Sequence, residues 1–141
     1  MDDYLKSLLG AEELVSTAAK HMKICVASNG QRDNVISSLE RTGLKKYFRD
    51  QDIFTGVQVE NAKPAPDLFF LAAERMNAQI DKCLVIEDSV AGVTGAKAAG
   101  MRVLGFVGAH EDQAVRSQRL KEAGASEIYA SLIHIQKALF I

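Results

Sequence analysis

Short apolar runs rich in β-branched residues alternate along this chain with longer stretches whose apolar residues recur at helical spacing. This alternation constrains the fold most, because strand–helix–strand repeats build βαβ units around a mainly parallel sheet. Residues 11 to 21, with Leu14, Val15, Ala18 and Ala19 on one face, read as a helix leading into the strand Lys23-Ile24-Cys25-Val26-Ala27. Ser28-Asn29-Gly30 breaks that strand, and Asp33 is placed to open a helix that carries Val35, Ile36 and Leu39 and stops near Gly43. Asp52-Ile53-Phe54-Thr55 reads as a short strand. The two prolines of Asn61-Ala62-Lys63-Pro64-Ala65-Pro66 then forbid regular structure until Asp67, which fits a helix N-cap ahead of Leu68, Phe69, Leu71, Ala72 and Met76.

The most informative point follows. Cys83-Leu84-Val85-Ile86 is a continuous apolar run, the pattern of a strand covered on both faces, and it ends abruptly in Glu87-Asp88-Ser89. A helix of small residues comes next, closed by Gly100, and then the strand Arg102-Val103-Leu104-Gly105-Phe106. A helix over 113 to 123, an edge strand Ile128-Tyr129-Ala130 and a helix over 132 to 140 complete an α/β pattern with no internal repeat.

A chain of 141 residues defaults to one domain with enough core to need neither disulfide nor structural metal. Seventeen basic and 18 acidic residues, with neither sign in a long block, lack the electrostatic footprint of a nucleic-acid binder. No apolar stretch approaches the roughly 20 residues that span a bilayer, and the start is not that of a secretory signal. Cys25 and Cys83 lie inside apolar runs and read as buried thiols of a reducing compartment. A cytoplasmic protein with neither nucleic-acid nor membrane partner is expected.

In an open parallel sheet, ligands bind beyond the carboxyl ends of the strands. Ser28-Asn29-Gly30, Lys63 and Glu87-Asp88 stand at or just after such ends. A hydroxyl and backbone amides at a strand-to-helix turn can cradle phosphate, and a lysine supplies a point charge to its oxygens. Adjacent carboxylates form a hard oxygen site suited to Mg²⁺. Together these parts suit phosphoryl transfer, which depends on positioning and charge neutralisation.

Lys63 follows Ser28 by 35 residues, and Asp88 follows Lys63 by 25. The ordered segments Ala27-Ser28-Asn29-Gly30, Asn61 to Asp67, and Val85-Ile86-Glu87-Asp88-Ser89-Val90-Ala91-Gly92 through Ala98-Ala99-Gly100-Met101 resemble the second, third and fourth motifs of haloacid-dehalogenase (HAD)-like hydrolases. The likeness covers roughly residues 11 to 131 and points to the branch of β-phosphoglucomutase and sugar-phosphate phosphatases.

The resemblance implies a three-layer, Rossmann-like α/β core with a mainly parallel sheet. It also implies a phosphatase or phosphomutase that uses Mg²⁺ and an aspartyl-phosphate to act on a small phosphorylated metabolite of sugar-phosphate type. Ser28 would hydrogen-bond the transferring phosphoryl group with help from the Asn29 amide, Lys63 would pair with that group and the nucleophile, and Glu87 and Asp88 would hold Mg²⁺. The family's first motif, Asp-x-Asp-Gly after an apolar strand, is not found. Asp2-Asp3 has no strand before it, and Asp50-Gln51-Asp52 follows no apolar run and reads as a solvated loop.

The expected core therefore lacks its central nucleophile strand and should be inactive alone. Residues 1–10 would be a remnant of a helical cap or a linker, and 11–141 an incomplete core domain. Two strands left with unpaired edges favour self-association, so a non-catalytic truncated paralogue or pseudoenzyme that binds partners is the alternative reading. A phosphoacceptor receiver domain fits less well, since it places its acidic pair early. His21, His110 and His134 show no metal spacing.

Overall fold

The computed structural model describes residues 10–108 and 112–140. In chain order the elements are α1 (Ala11–His21), β1 (Val26–Ser28), α2 (Arg32–Arg41), β2 (Ile53–Thr55), α3 (Asp67–Arg75), β3 (Leu84–Glu87), α4 (Val90–Ala98), β4 (Arg102–Phe106), α5 (Gln113–Ala123), β5 (Glu127–Tyr129) and α6 (Leu132–Leu139). The expected α/β architecture with parallel strands is present. Val26, Ala27 and Ser28 of β1 pair in parallel with Ile53, Phe54 and Thr55 of β2. Strand β4 pairs in parallel with β3 on one side and with β5 on the other.

Helices cover both faces of the strands. Val103 of β4 packs among Phe69 and Ala73 of α3, Val93 and Ala96 of α4, and Leu120 of α5. Its neighbour Leu104 points to the opposite side, among Leu14 of α1, Ile53 of β2, and Leu132 and Ile135 of α6. This alternation along one strand produces the three layers. Its centre is dry: Val103, Leu104 and Val93 have no exposed surface.

The strands form two sheets, β1-β2 and β3-β4-β5, and among the described residues no strand joins β1 to β3. The two sheets nonetheless share a core. Val26 of β1 and Leu84 and Ile86 of β3 contribute to one apolar cluster, and Ala27 and Val85 to another. An open seam thus separates two strands that belong to the same layered body.

Several sequence expectations change. The first strand begins at Val26 rather than Lys23, because the chain opposite, Asp50–Asp52, is a turn of 3₁₀-helix that offers no ladder. Lys23 instead donates to the Met76 and Asn77 carbonyls at 3.0 and 3.4 Å, where α3 ends. That turn is solvated at Asp50 and Gln51 but not at Asp52, which is buried and accepts from Arg49 Nε at 2.8 Å and Nη2 at 3.1 Å. Asp67 is the first residue of α3 rather than its cap, and its Oδ2 accepts from the Asn61 amide at 3.2 Å. All four residues of β3 are only half-buried, against the expected covering on both faces. Both cysteines are free and partly accessible rather than fully buried. His110 and residues 1–9 lie outside the described residues.

Candidate active site

Strand β1 ends at Ser28, and the turn that follows is folded by its own side chains. Ser28 Oγ accepts from the Gly30 amide at 3.1 Å, an ST-type turn that leaves the hydroxyl proton free to donate. The Asn29 carboxamide clamps the loop between β2 and α3 at one residue, Lys63. Its Oδ1 accepts from the Lys63 amide and its Nδ2 donates to the Lys63 carbonyl, both at 3.0 Å. Arg32, in the first turn of α2, donates to the Ile53 and Asp50 carbonyls at 2.6 and 2.5 Å and fixes that helix against β2.

So anchored, Lys63 sends its side chain back across the seam. Nζ donates to the Ala27 carbonyl of β1 at 2.8 Å and to Glu87 Oε2 at the end of β3 at 2.5 Å. The side chains of Lys63 and Glu87 are only 8% and 11% exposed, so this pair is largely withdrawn from water. A shielded ion pair persists when its remaining polar atoms are satisfied. Here Glu87 Oε1 accepts from the Asp88 amide and the Ser89 hydroxyl, both at 3.2 Å. The Lys63 ammonium also lies 5.2 Å from the centre of the Phe69 ring, within cation–π range.

The glycines of α4 make room for this arrangement. A Cβ on Gly92 would stand 2.0 Å from Glu87 Cδ, and one on Gly95 would stand 2.9 Å from the Ala65 carbonyl oxygen. Their small size lets the Glu87 carboxylate lie across the start of the helix and lets the Lys63 loop pack onto it. Ser89 caps the helix by accepting from the Gly92 amide at 3.0 Å, an interaction that contributes about 1 kcal/mol.

Asp88 differs from Glu87. Its carboxylate has no hydrogen bond to another residue and no ion pair among the described residues. Surrounding protein, then the Glu87 charge, push its pKa above the ordinary carboxylate value, while its own backbone amide, then Arg116 and Lys63, partly offset them. A solvent-accessible carboxylate with this charge stress can gain from a cation.

The five residues singled out in the sequence, Ser28, Asn29, Lys63, Glu87 and Asp88, therefore gather at the carboxyl ends of β1 and β3, on either side of the seam. A family model described as haloacid dehalogenase-like hydrolase matches residues 1–100. The chain belongs to that family. Among curated relatives, the 6-phosphogluconate phosphatase of Escherichia coli is 36% identical over 105 residues, 74% of this chain and 46% of the relative. The phosphorylated carbohydrates phosphatase of Thermotoga maritima is 38% identical over 115 residues, 81% of this chain and 50% of the relative. A putative β-phosphoglucomutase structure from Thermotoga maritima superposes with a TM-score of 0.79 at 33% identity, covering 92% of this chain and 58% of that one. The chain thus spans about half the length of these curated relatives, and by family it is a hydrolase.

Sequence reading of this HAD-like hydrolase missed three participants. Ser89 was passed over because two carboxylates precede it, although a serine two residues before a run of small helix formers is a cap signal. Gly92 looked like one more small residue of a helix. Arg116, whose Nη2 donates to the Asp88 carbonyl at 3.3 Å, comes from α5, and no local pattern tied it to the site.

Proposed function

We propose that this chain is the larger part of a Mg²⁺-dependent phosphatase core acting on a small phosphorylated metabolite of sugar-phosphate type. The attacking aspartate would come from a strand outside these 141 residues. The observation that carries this reading is the Lys63 bridge. One shielded ammonium touches β1 and β3 together and stands over the seam, where a phosphoryl group and an attacking carboxylate need positive charge. The likeness to the 6-phosphogluconate phosphatase of Escherichia coli and the phosphorylated carbohydrates phosphatase of Thermotoga maritima supports the substrate class.

In this reading Ser28 donates its hydroxyl proton to a phosphoryl oxygen, since its own oxygen already accepts from Gly30. Asn29 acts through its side-chain clamp on the Lys63 backbone, which fixes where that lysine begins, and its backbone amide would help hold the phosphoryl group. Among the described residues no group of three or more His, Cys, Asp or Glu side chains is arranged to hold a metal. The donor set fits Mg²⁺ all the same, because that ion binds through one or two carboxylates and keeps several waters. Asp88, with open lone pairs, would hold it, with Glu87 as the adjacent carboxylate, and the ion would neutralise charge on the phosphoryl oxygens. Covalent catalysis through an aspartyl-phosphate then needs a carboxylate in the seam, and within this sequence no Asp-x-Asp-Gly follows an apolar strand.

The same open edges favour a second reading, a non-catalytic module that pairs a strand of another molecule, including a second copy, into the seam. No described helix is long and apolar enough to cross a membrane. The chain alone should show no Mg²⁺-dependent hydrolysis of p-nitrophenyl phosphate above background. The same chain extended at its start by an apolar strand ending in Asp-x-Asp-Gly should turn over. Hydrolysis by the unextended chain would contradict the need for an outside nucleophile, and silence from a folded extended chain would favour the binding module.

A further inference from the structure

Beside the seam, at the same end of the molecule, the groove between α4 and α5 opens into a cavity of about 300 Å³ lined by Asp88, Ser89, Val90, Arg116, Arg119 and Leu120. Among the described lining residues two guanidiniums stand against one carboxylate, and neither Arg116 nor Arg119 forms an ion pair with a described residue. Arg116 is held in place by the Asp88 carbonyl, while its Nε is shielded from solvent and has no hydrogen-bond partner among the described residues. A sheltered guanidinium N–H without an acceptor is costly, and a guanidinium presents donors in a planar fork suited to carboxylate or phosphate. Leu120, almost wholly buried, and the exposed Val90 complete the lining.

We propose that this cavity is an anion subsite that takes the second oxyanion of the substrate, a carboxylate or a second phosphate, while the first phosphoryl group sits at Lys63. The subsite rests on the phosphoryl reading given above, because Asp88 borders both places. Its volume is at the lower end for ligand pockets, enough for one charged end of a small metabolite. Substrate choice is thereby set partly by the core, through Arg116 and Arg119.

The test is a ¹⁵N NMR titration of the whole chain in Mg²⁺ with three ligands, following the Lys63 amide and the Nε–Hε signals of Arg116 and Arg119. Sorbitol 6-phosphate carries one oxyanion, 6-phosphogluconate adds a carboxylate, and fructose 1,6-bisphosphate adds a phosphate. The subsite predicts that at least one ligand with two anionic groups binds about tenfold or more tighter than sorbitol 6-phosphate and shifts Arg116 Nε–Hε. Which of the two does so identifies the oxyanion. Arg116→Gln should erase the difference between ligands, and so should Arg119→Gln, an exposed site whose replacement spares the fold. Equal affinities with a responsive Lys63 amide would overturn the subsite alone. A Lys63 amide that ignores all three ligands would overturn the phosphoryl reading and the subsite with it.

Discussion

Strands β3 and β4 are neighbours of similar apolar character, yet they live differently. Strand β4 is paired along both edges, and its Val103 and Leu104 have no exposed surface. Among the described residues strand β3 is paired only to β4, and each of its residues is half-buried. The contrast repeats in the other sheet, where β2 is fully buried while β1, beside the seam, is not. Burial here is set by what packs around each strand rather than by side-chain type: β2, with one paired strand, is fully buried. The two strands flanking the seam, whose ends carry the candidate catalytic groups, are less covered than β2 and the middle of β4.

The largest effect that can break this comparison is expected at the one side chain bridging the seam. Lys63→Met leaves the Glu87 carboxylate shielded and unpaired and should cost about 3–5 kcal/mol in urea unfolding, with Glu87→Gln added to it recovering most of the loss. A cost below about 1 kcal/mol would show the pair to be effectively solvated.

Truncations within the two strands come next. Leu104→Ala in β4 should cost about 2–5 kcal/mol, and Ile86→Ala in β3 distinctly less, because a half-exposed site loses less transfer free energy and leaves a smaller cavity. Equal losses would mean that β3 is as enclosed as β4.

The smallest effect concerns Cys25, directly before β1. Burial first, then the Asp52 charge and Cys83, push its thiol from 9.0 to about 11. The folded chain therefore holds this proton more tightly than the unfolded one. The resulting stability is fully present below about pH 9 and lost as pH rises towards 11, on the order of 2–3 kcal/mol in all. Stability measured by urea unfolding across that window should fall more steeply in the natural chain than in Cys25→Ala. Parallel curves would place the thiol in water.

Much of this was legible in the sequence because the signals were local. The boundaries of α1 and β4 and the glycine-terminated ends of α4 and α5 follow from periodicity and turn chemistry alone. Glu87 and Asp88 stood out because they end an apolar run, whereas Lys63, in the proline-bearing loop after β2, stood out through its place in the ordered motifs. The failures are tertiary. Lys23-Ile24-Cys25 has strand composition, but a ladder needs a partner, and the opposite chain turns as 3₁₀-helix. Asp52 looked solvated because its Arg49 partner and its burial depend on folding of that turn. The apolar run before Glu87 correctly marked a strand, but how many edges are paired is not written in that run. Arg116 entered the site across a helix–helix groove that only packing reveals.

Hydrogen exchange of the β3 and β4 backbone amides tests the open seam most directly. Alternate amides along a strand point to opposite edges. The seam predicts that the amides of Leu84–Glu87 aimed away from β4 exchange rapidly, while those of Val103 to Phe106 are protected throughout. Uniform strong protection along β3 in the isolated monomer would contradict an unpaired edge, and with it the account of a site waiting for its nucleophile strand.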